Sequence, residues 1–278
     1  MAVKPVDQLT IMNDFLFSTI MQQERYCKPL LEYILKVKIQ KLDYLNQQQE
    51  ISAPVPDTKS IRLDVYVEDE KGTIYDLEVQ TTDKGNLPRR TRYYQSMIDL
   101  RAIEKGTDYK TLKKSFIIFI CSFDPFCRDQ MIYTFSNHCQ EEPGLYLGDD
   151  AYKIVINTKG NKGNISRGLM EVIHYMDTGI AESDYTKALD AAVESIKSDE
   201  KWRQEYMLIM ENYARERRYG GYEKAVRLIR KHRLKWNIEE MADAVDVTKS
   251  DCLSVLSMLD HHPDWDDEQI AEEVTWES

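Results

Sequence analysis

Three observations predict an α/β fold with a mixed central sheet flanked by helices, followed by an all-α region. Residues 61–68 and 73–81 alternate polar and apolar side chains with the period of strands. Phe116-Ile117-Ile118-Phe119-Ile120-Cys121 is a short unbroken apolar run of the kind that fills the middle of a sheet. From Ser195 onward the chain reads as almost wholly helical, with Trp202, Tyr206, Ile209 and Met210 on one stripe and a break at Gly220-Gly221.

Taken in order, a helix should run from about Asp14 to Val37, interrupted at Pro29. Asp14 sits in its first turn, where an acid complements the helix dipole. The two alternating stretches then form the arms of one β-hairpin, with Glu68-Asp69-Glu70-Lys71-Gly72 as the turn. A hairpin centred near Lys71 pairs residues whose numbers sum to 142, so Asp64 faces Glu78 with Cβ atoms roughly 5 Å apart. Asp64, Asp76, Glu78 and Gln80 share one face. Two carboxylates that close repel unless a cation lies between them, and a hard divalent ion such as Mg²⁺ suits such a pair. An ordinary solvated hairpin is the other reading of the same alternation.

The next helix is bounded by Asn86-Leu87-Pro88 and Gly106, giving about Pro88 to Lys105. Arg89, Arg90 and Arg92 crowd its first turn, against the positive end of the dipole; a nucleic-acid phosphate there would reverse the sign. The alternative is a basic solvent face paired with Asp83 or Glu104. Tyr94, Met97, Ile98 and Arg101 fall at helical spacing as core and rim. Ser115 to Phe123 is a strand buried on both faces, too short for the roughly 20 residues of a membrane span. Tyr152 to Thr158 is a further strand, and a helix begins over Gly168 to Tyr175.

With 278 residues the chain suits two domains, residues 1–180 and 181–278, the boundary lying within 176–200. The net charge of −11 is uneven: residues 215–235 hold nine basic and two acidic residues, residues 236–278 one basic and thirteen acidic. At physiological salt a charge is screened within about 8 Å, so an acidic tail does not exclude DNA from a basic groove elsewhere. The basic segment reads as a nucleic-acid surface, a partner for the acidic tail, or a solvated helix face. Ile238 to Leu259 has helix-turn-helix spacing, turning at Asp246-Val247-Thr248, but its second helix is poor in the basic and amide side chains that read bases. A packing or dimerising module fits it better. The five cysteines form no Cys-x-x-Cys pair and suit a reducing cytoplasm. The N-terminal residues lack a secretory pattern.

Leu63-Asp64-Val65, Asp69-Glu70-Lys71-Gly72 and Tyr75-Asp76-Leu77-Glu78-Val79-Gln80 resemble the core of the PD-(D/E)XK nucleases, specifically the Rpn group of recombination-promoting nucleases and transposases. Asn13-Asp14-Phe15-Leu16-Phe17 is similar to the group's opening motif, and Arg89 to Tyr94 with Lys105 to Leu112 to the helix and loop after its hairpin. The resemblance covers roughly the first 125 residues. It implies a restriction-endonuclease-like core and a Mg²⁺-dependent DNA endonuclease, with Asp64 and Glu78 as metal ligands and Gln80 where relatives outside the group carry Lys. A neutral amide can orient a water but cannot supply a positive charge. The counterpart of Asp14 adds a carboxylate in that reading, and Asp76 is a further candidate acid. Pro56-Asp57 is a literal Pro-Asp pair, but with Pro54 it describes a loop and not a strand beside Glu78. Two other readings stay open: a nuclease-fold DNA-binding protein with little turnover, and a regulator acting through residues 238–259.

Overall fold

The structure, a computed structural model, describes residues 4–45, 50–51, 61–103, 106–245, 247–274 and 276. Pro56-Asp57, Glu104-Lys105 and Asp246 lie outside these. The chain divides into two compact units, residues 4–200 and residues from 201 onward.

In the first unit the initial helical stretch is two helices, α1 (Asp14–Met21) and α2 (Glu24–Leu35). Asn13 caps α1 by accepting the Leu16 N–H at 3.0 Å. The expected interruption at Pro29 is displaced to Gln22-Gln23, where Gln23 is extended, and Pro29 lies inside α2. A proline in the second turn forfeits one intrahelical bond, which burial of Leu30, Leu31 and Ile34 around it outweighs.

The sheet is built from β1 (Leu42–Tyr44), β4 (Val65–Asp69), β5 (Ile74–Gln80), β6 (Ser115–Cys121), β7 (Ile132–Phe135) and β8 (Ala151–Asn157), in the order β1-β4-β5-β6-β8-β7. A separate short ladder pairs β2 (Glu50–Ile51) with β3 (Ile61–Arg62). The first hairpin arm is therefore broken at Leu63-Asp64, and β4 starts only at Val65. The register is the one expected from the turn: Val65 faces Leu77, Tyr66 faces Asp76 and Val67 faces Tyr75. Gly72, at φ +80°, makes the turn that sets it. β5, β6 and β8 run parallel, while β4 and β7 are antiparallel to their neighbours, so the sheet is mixed.

Between β5 and β6 the chain crosses over through α3 (Leu87–Ala102), which ends three residues before the expected Lys105 because Ile103 turns extended. Leu87, Tyr94, Met97 and Ile98 of α3 pack on Tyr66, Ile74, Ile117, Phe119, Cys121 and Val155 of the sheet. The opposite row, Val65, Val67, Leu77, Ile118, Ile120, Ile154 and Ile156, is equally buried, and α1 packs against β5 there. With Ile117 to Cys121 at most 1% exposed, β6 is covered on both faces, as its sequence predicts. This is the restriction-endonuclease-like α/β core.

The unit extends past residue 180. α4 (Arg167–Thr178) packs on α2, and α5 (Asp184–Ser198) packs on α1 and α4. Tyr185 of α5 donates its hydroxyl to the Tyr26 carbonyl at 2.6 Å. That packing keeps α5 with the first compact unit, which ends at residue 200.

The second unit is helical. α6 (Glu200–His232) continues through Gly220-Gly221, where a break was expected. Two glycines cost a helix interior about 2 kcal/mol together; burial of Tyr222, Ala225, Val226 and Ile229 just beyond them outweighs that. Tyr222, Val226 and Ile229 pack with Met241 of α7 (Ile238–Val245), Cys252, Val255 and Leu259 of α8 (Lys249–His261), and Ile270 of α9 (Asp267–Glu273). The basic segment partners the acidic tail: Arg230 reaches Asp267 at 2.8 Å and the Trp265 carbonyl at 2.7 Å, Arg227 reaches Asp267 at 3.3 Å, and Arg233 reaches Asp260 at 3.2 Å. α7 and α8 have the expected helix-turn-helix bounds. Asp251, 1% exposed, is spent on a capping box with Thr248, and one face of α8 is core, which leaves little of that helix to read a base. No described helix is long and apolar enough to cross a membrane.

Candidate active site

The site forms where the hairpin opens. Asp76, Glu78 and Gln80 alternate along β5 and so share the face that α3 covers. Asp64 precedes β4, and Ser18 of α1 fixes it by donating its hydroxyl to the Asp64 carbonyl at 2.6 Å. Asp64 and Glu78 are laced together as the register requires. Glu78 Oε1 accepts the Asp64 N–H at 3.0 Å, and Asp64 Oδ2 accepts the Val79 N–H at 3.3 Å. Each carboxylate is thus anchored on the backbone of the facing arm, Glu78 on Asp64 and Asp64 on Val79.

The acids lie deeper than a solvated face. Asp76 is fully buried and Glu78 is 1% exposed, while Asp64 is half-buried. Register places Asp76 between Tyr66 and Ile117, and Glu78 beside Phe119. Neither oxygen of Asp76 has a hydrogen-bond partner. Burial, then the charge of Asp64, pushes its carboxyl well above the ordinary range against the pull of Arg90. Burial also pushes Glu78 well up, followed by the charges of Asp64 and Asp76, again opposed by Arg90.

Arg90 is the cation inside this cluster. Its Nη2 donates to Glu78 Oε2 at 2.8 Å and to the Tyr94 hydroxyl at 2.8 Å, and its Nη1 donates to Gln80 Oε1. Its guanidinium lies 5.0 Å from the ring centroids of Tyr94 and Phe119. Gln80, half-buried, is further fixed by donating Nε2 to the Thr82 carbonyl at 2.7 Å. The three arginines expected to form one phosphate cluster therefore separate: Arg90 turns inward onto Glu78, whereas Arg89 and Arg92 are exposed. Successive helical residues point about 100° apart, so three in one turn cannot share a direction. Asp14 is also exposed, and its carboxylate accepts the Phe15 N–H at 2.9 Å, the helix-start role that its position predicts.

Sequence reasoning missed Ser18 and Tyr94 as supports. Tyr94 had a signal, since it stands four residues after Arg90 on one helix face. Ser18 had none, because only the packing of α1 on β5 brings it to Asp64.

A hard divalent cation fits the donor chemistry. Asp64, Asp76 and Glu78 offer only carboxyl oxygens, and the two buried oxygens of Asp76 have no hydrogen-bond partner in a place water does not reach. Among the described residues, no group of three or more His, Cys, Asp or Glu side chains is arranged to hold a metal ion. The positive charge that does reach the acids is Arg90, which holds one oxygen of Glu78.

Residues 11–139 match the family described as PD-(D/E)XK nuclease family transposase. No curated protein and no solved structure matches the chain. The matched segment begins just before α1, contains the laced Asp64 and Glu78 with all of α3, and ends beyond β7. Over residues 11–139, just under half of its length, the chain is thus similar to the PD-(D/E)XK nuclease family transposases.

Proposed function

We propose that the first unit is a Mg²⁺-dependent DNA endonuclease that hydrolyses phosphodiester bonds, with a part in recombination or in the movement of mobile elements. The reading rests on one observation above others: two carboxylates, Asp64 and Glu78, laced across the mouth of a hairpin above a third, Asp76, whose buried oxygens have no hydrogen-bond partner. In this reading Asp64 and Glu78 hold the ion and Asp76 adds charge from below. When bound, such an ion supplies Lewis-acid charge to a phosphate oxygen and to the attacking water. Gln80, fixed by Thr82, orients the water through its amide. Arg89 and Arg92, exposed at the N-terminus of α3, bind flanking phosphates together with that helix end. Arg90 neutralises Glu78 and holds Gln80 in place. Asp14 joins the acids of the site in this reading only through the family motif it resembles.

The test is incubation of the purified protein with supercoiled plasmid in Mg²⁺ and in EDTA. Nicking that requires Mg²⁺ and is lost in both Asp64→Ala and Glu78→Ala is the expected result. A second reading, a nuclease-fold DNA-binding protein with little turnover, is favoured by the near-complete burial of Glu78 beneath Arg90 and by the neutral Gln80. It predicts plasmid binding without nicking in either buffer. Homodimerisation through residues 201–278 belongs to the proposal too, with Leu234 (94% exposed) and Leu253 (59%) as apolar surface for it, and light scattering of the full chain reads it.

A further inference from the structure

The sheet rows that carry the acids continue into a second feature. Across β5, β6, β8 and β7 the register aligns Glu78, Phe119, Val155 and Tyr133 in one row, and Asp76, Ile117, Lys153 and Phe135 in the next. Arg90 and Tyr94 of α3 cover the Glu78 end of these rows. On the other flank of α3 the same rows floor a cavity of about 380 Å³, lined by Pro88, Arg92, Phe126, Phe135, Asn137 and Lys153 among others. That volume lies in the range of small-molecule sites. No acidic residue is among its described lining.

The lining has the parts that hold a nucleobase. Phe135, on the edge strand β7, is 42% exposed, and Phe126 stands 5.0 Å from it between ring centroids. An apolar ring left open at a pocket mouth stacks any base, because every base has a π-face. Asn137 donates its Nδ2 to Asp149 at 2.7 Å, which orients the amide and leaves its Oδ1 as an acceptor for a base edge. Arg92 and Lys153 supply cations for the phosphates on either side. Val155 lies two strand spacings from Glu78, about 10 Å, which is about three nucleotides of a stacked strand.

We propose that this pocket receives one unstacked base of the DNA strand, within about three nucleotides of the phosphate held at Asp64 and Glu78. The proposal rests on the nuclease reading for its ligand and adds a preference: strands with a gap, an end or an extruded base bind better than intact duplex, whose bases stay stacked. Binding in EDTA of a fluorescein-labelled single-stranded oligonucleotide and of its duplex tests it. The expected result is tighter binding of the single strand, weakened about tenfold by Phe135→Ala, within what one base stacked on an aromatic ring contributes. Asn137→Ala weakens it as well, and neither variant changes duplex binding. Scanning single abasic sites through the oligonucleotide finds a position where the wild type loses the same factor and Phe135→Ala loses nothing more. Variants that bind both forms as the wild type does, or an abasic scan with no effect at any position, overturn the proposal. Because binding is read without Mg²⁺, a failure to nick plasmid counts against the nuclease reading alone. Nicking by a protein whose Phe135→Ala variant binds single strands normally counts against the pocket alone.

Discussion

Asp69 and Asp76 sit on the same hairpin, at opposite ends, and both are buried. At the turn, Asp69 accepts the Lys71 and Thr73 N–H groups at 2.9 Å and the Tyr75 hydroxyl at 2.6 Å. Burial works against its charge, but those hydrogen bonds win and hold its carboxyl below the ordinary value. At the open end, Asp76 has burial and no hydrogen bond, and its carboxyl is pushed the other way. One acid is built to fix a turn. The other is left buried and without a partner beside Asp64 and Glu78, and a folded protein keeps such a cost where a ligand repays it.

The largest effect expected from this contrast is on Asp69. Asp69→Ala leaves two backbone N–H groups and a tyrosine hydroxyl without their acceptor and should cost about 3 kcal/mol of stability by urea unfolding. The pH dependence has a definite sign. A carboxylate with a depressed folded pKa contributes stability above its ordinary value of 3.8 and loses it as pH falls through the folded value. The wild type should therefore lose stability below about pH 4 more steeply than Asp69→Asn does.

At the other end the direction reverses. Asp76→Asn removes a buried acid that must give up its charge on folding and should raise stability in EDTA at neutral pH by about 1 kcal/mol. The same variant should gain less melting temperature on adding Mg²⁺ than the wild type, because linkage returns only the affinity that survives. A variant less stable than the wild type in EDTA would show that the Asp76 carboxyl has a stabilising partner in the fold.

The smallest effects concern the arginines. Arg89→Ala and Arg92→Ala should each weaken DNA binding across sequences and lower the slope of log affinity against log salt by about 1. Arg90→Ala, whose charge is committed to Glu78, should leave that slope as it is.

Much of this was readable beforehand for reasons that also mark the limit. Gly72 and the turn fixed where the arms meet, so the pairing of Asp64 with Glu78 followed from counting. The apolar run in β6 announced a strand covered on both sides. Alternation says which residues share a face but not what covers it, and the cover over Asp76 and Glu78 is α3, contributed by residues 87–102. The inward turn of Arg90 was hidden in the same way: Leu87, Arg90, Tyr94 and Ile98 make one helical stripe, and treating three arginines as a patch overlooked it. The continuity of α6 through Gly220-Gly221 depends on core contacts of Tyr222 and Val226, which local preference does not contain.

The most direct test of the central claim is a crystal of the full chain soaked in Mn²⁺, with anomalous density as the readout. Density between the carboxylates of Asp64 and Glu78, with Arg90 drawn back from Glu78 Oε2, is the predicted result. Crystals in which Mn²⁺ binds elsewhere or not at all, with Arg90 still paired to Glu78, would contradict it.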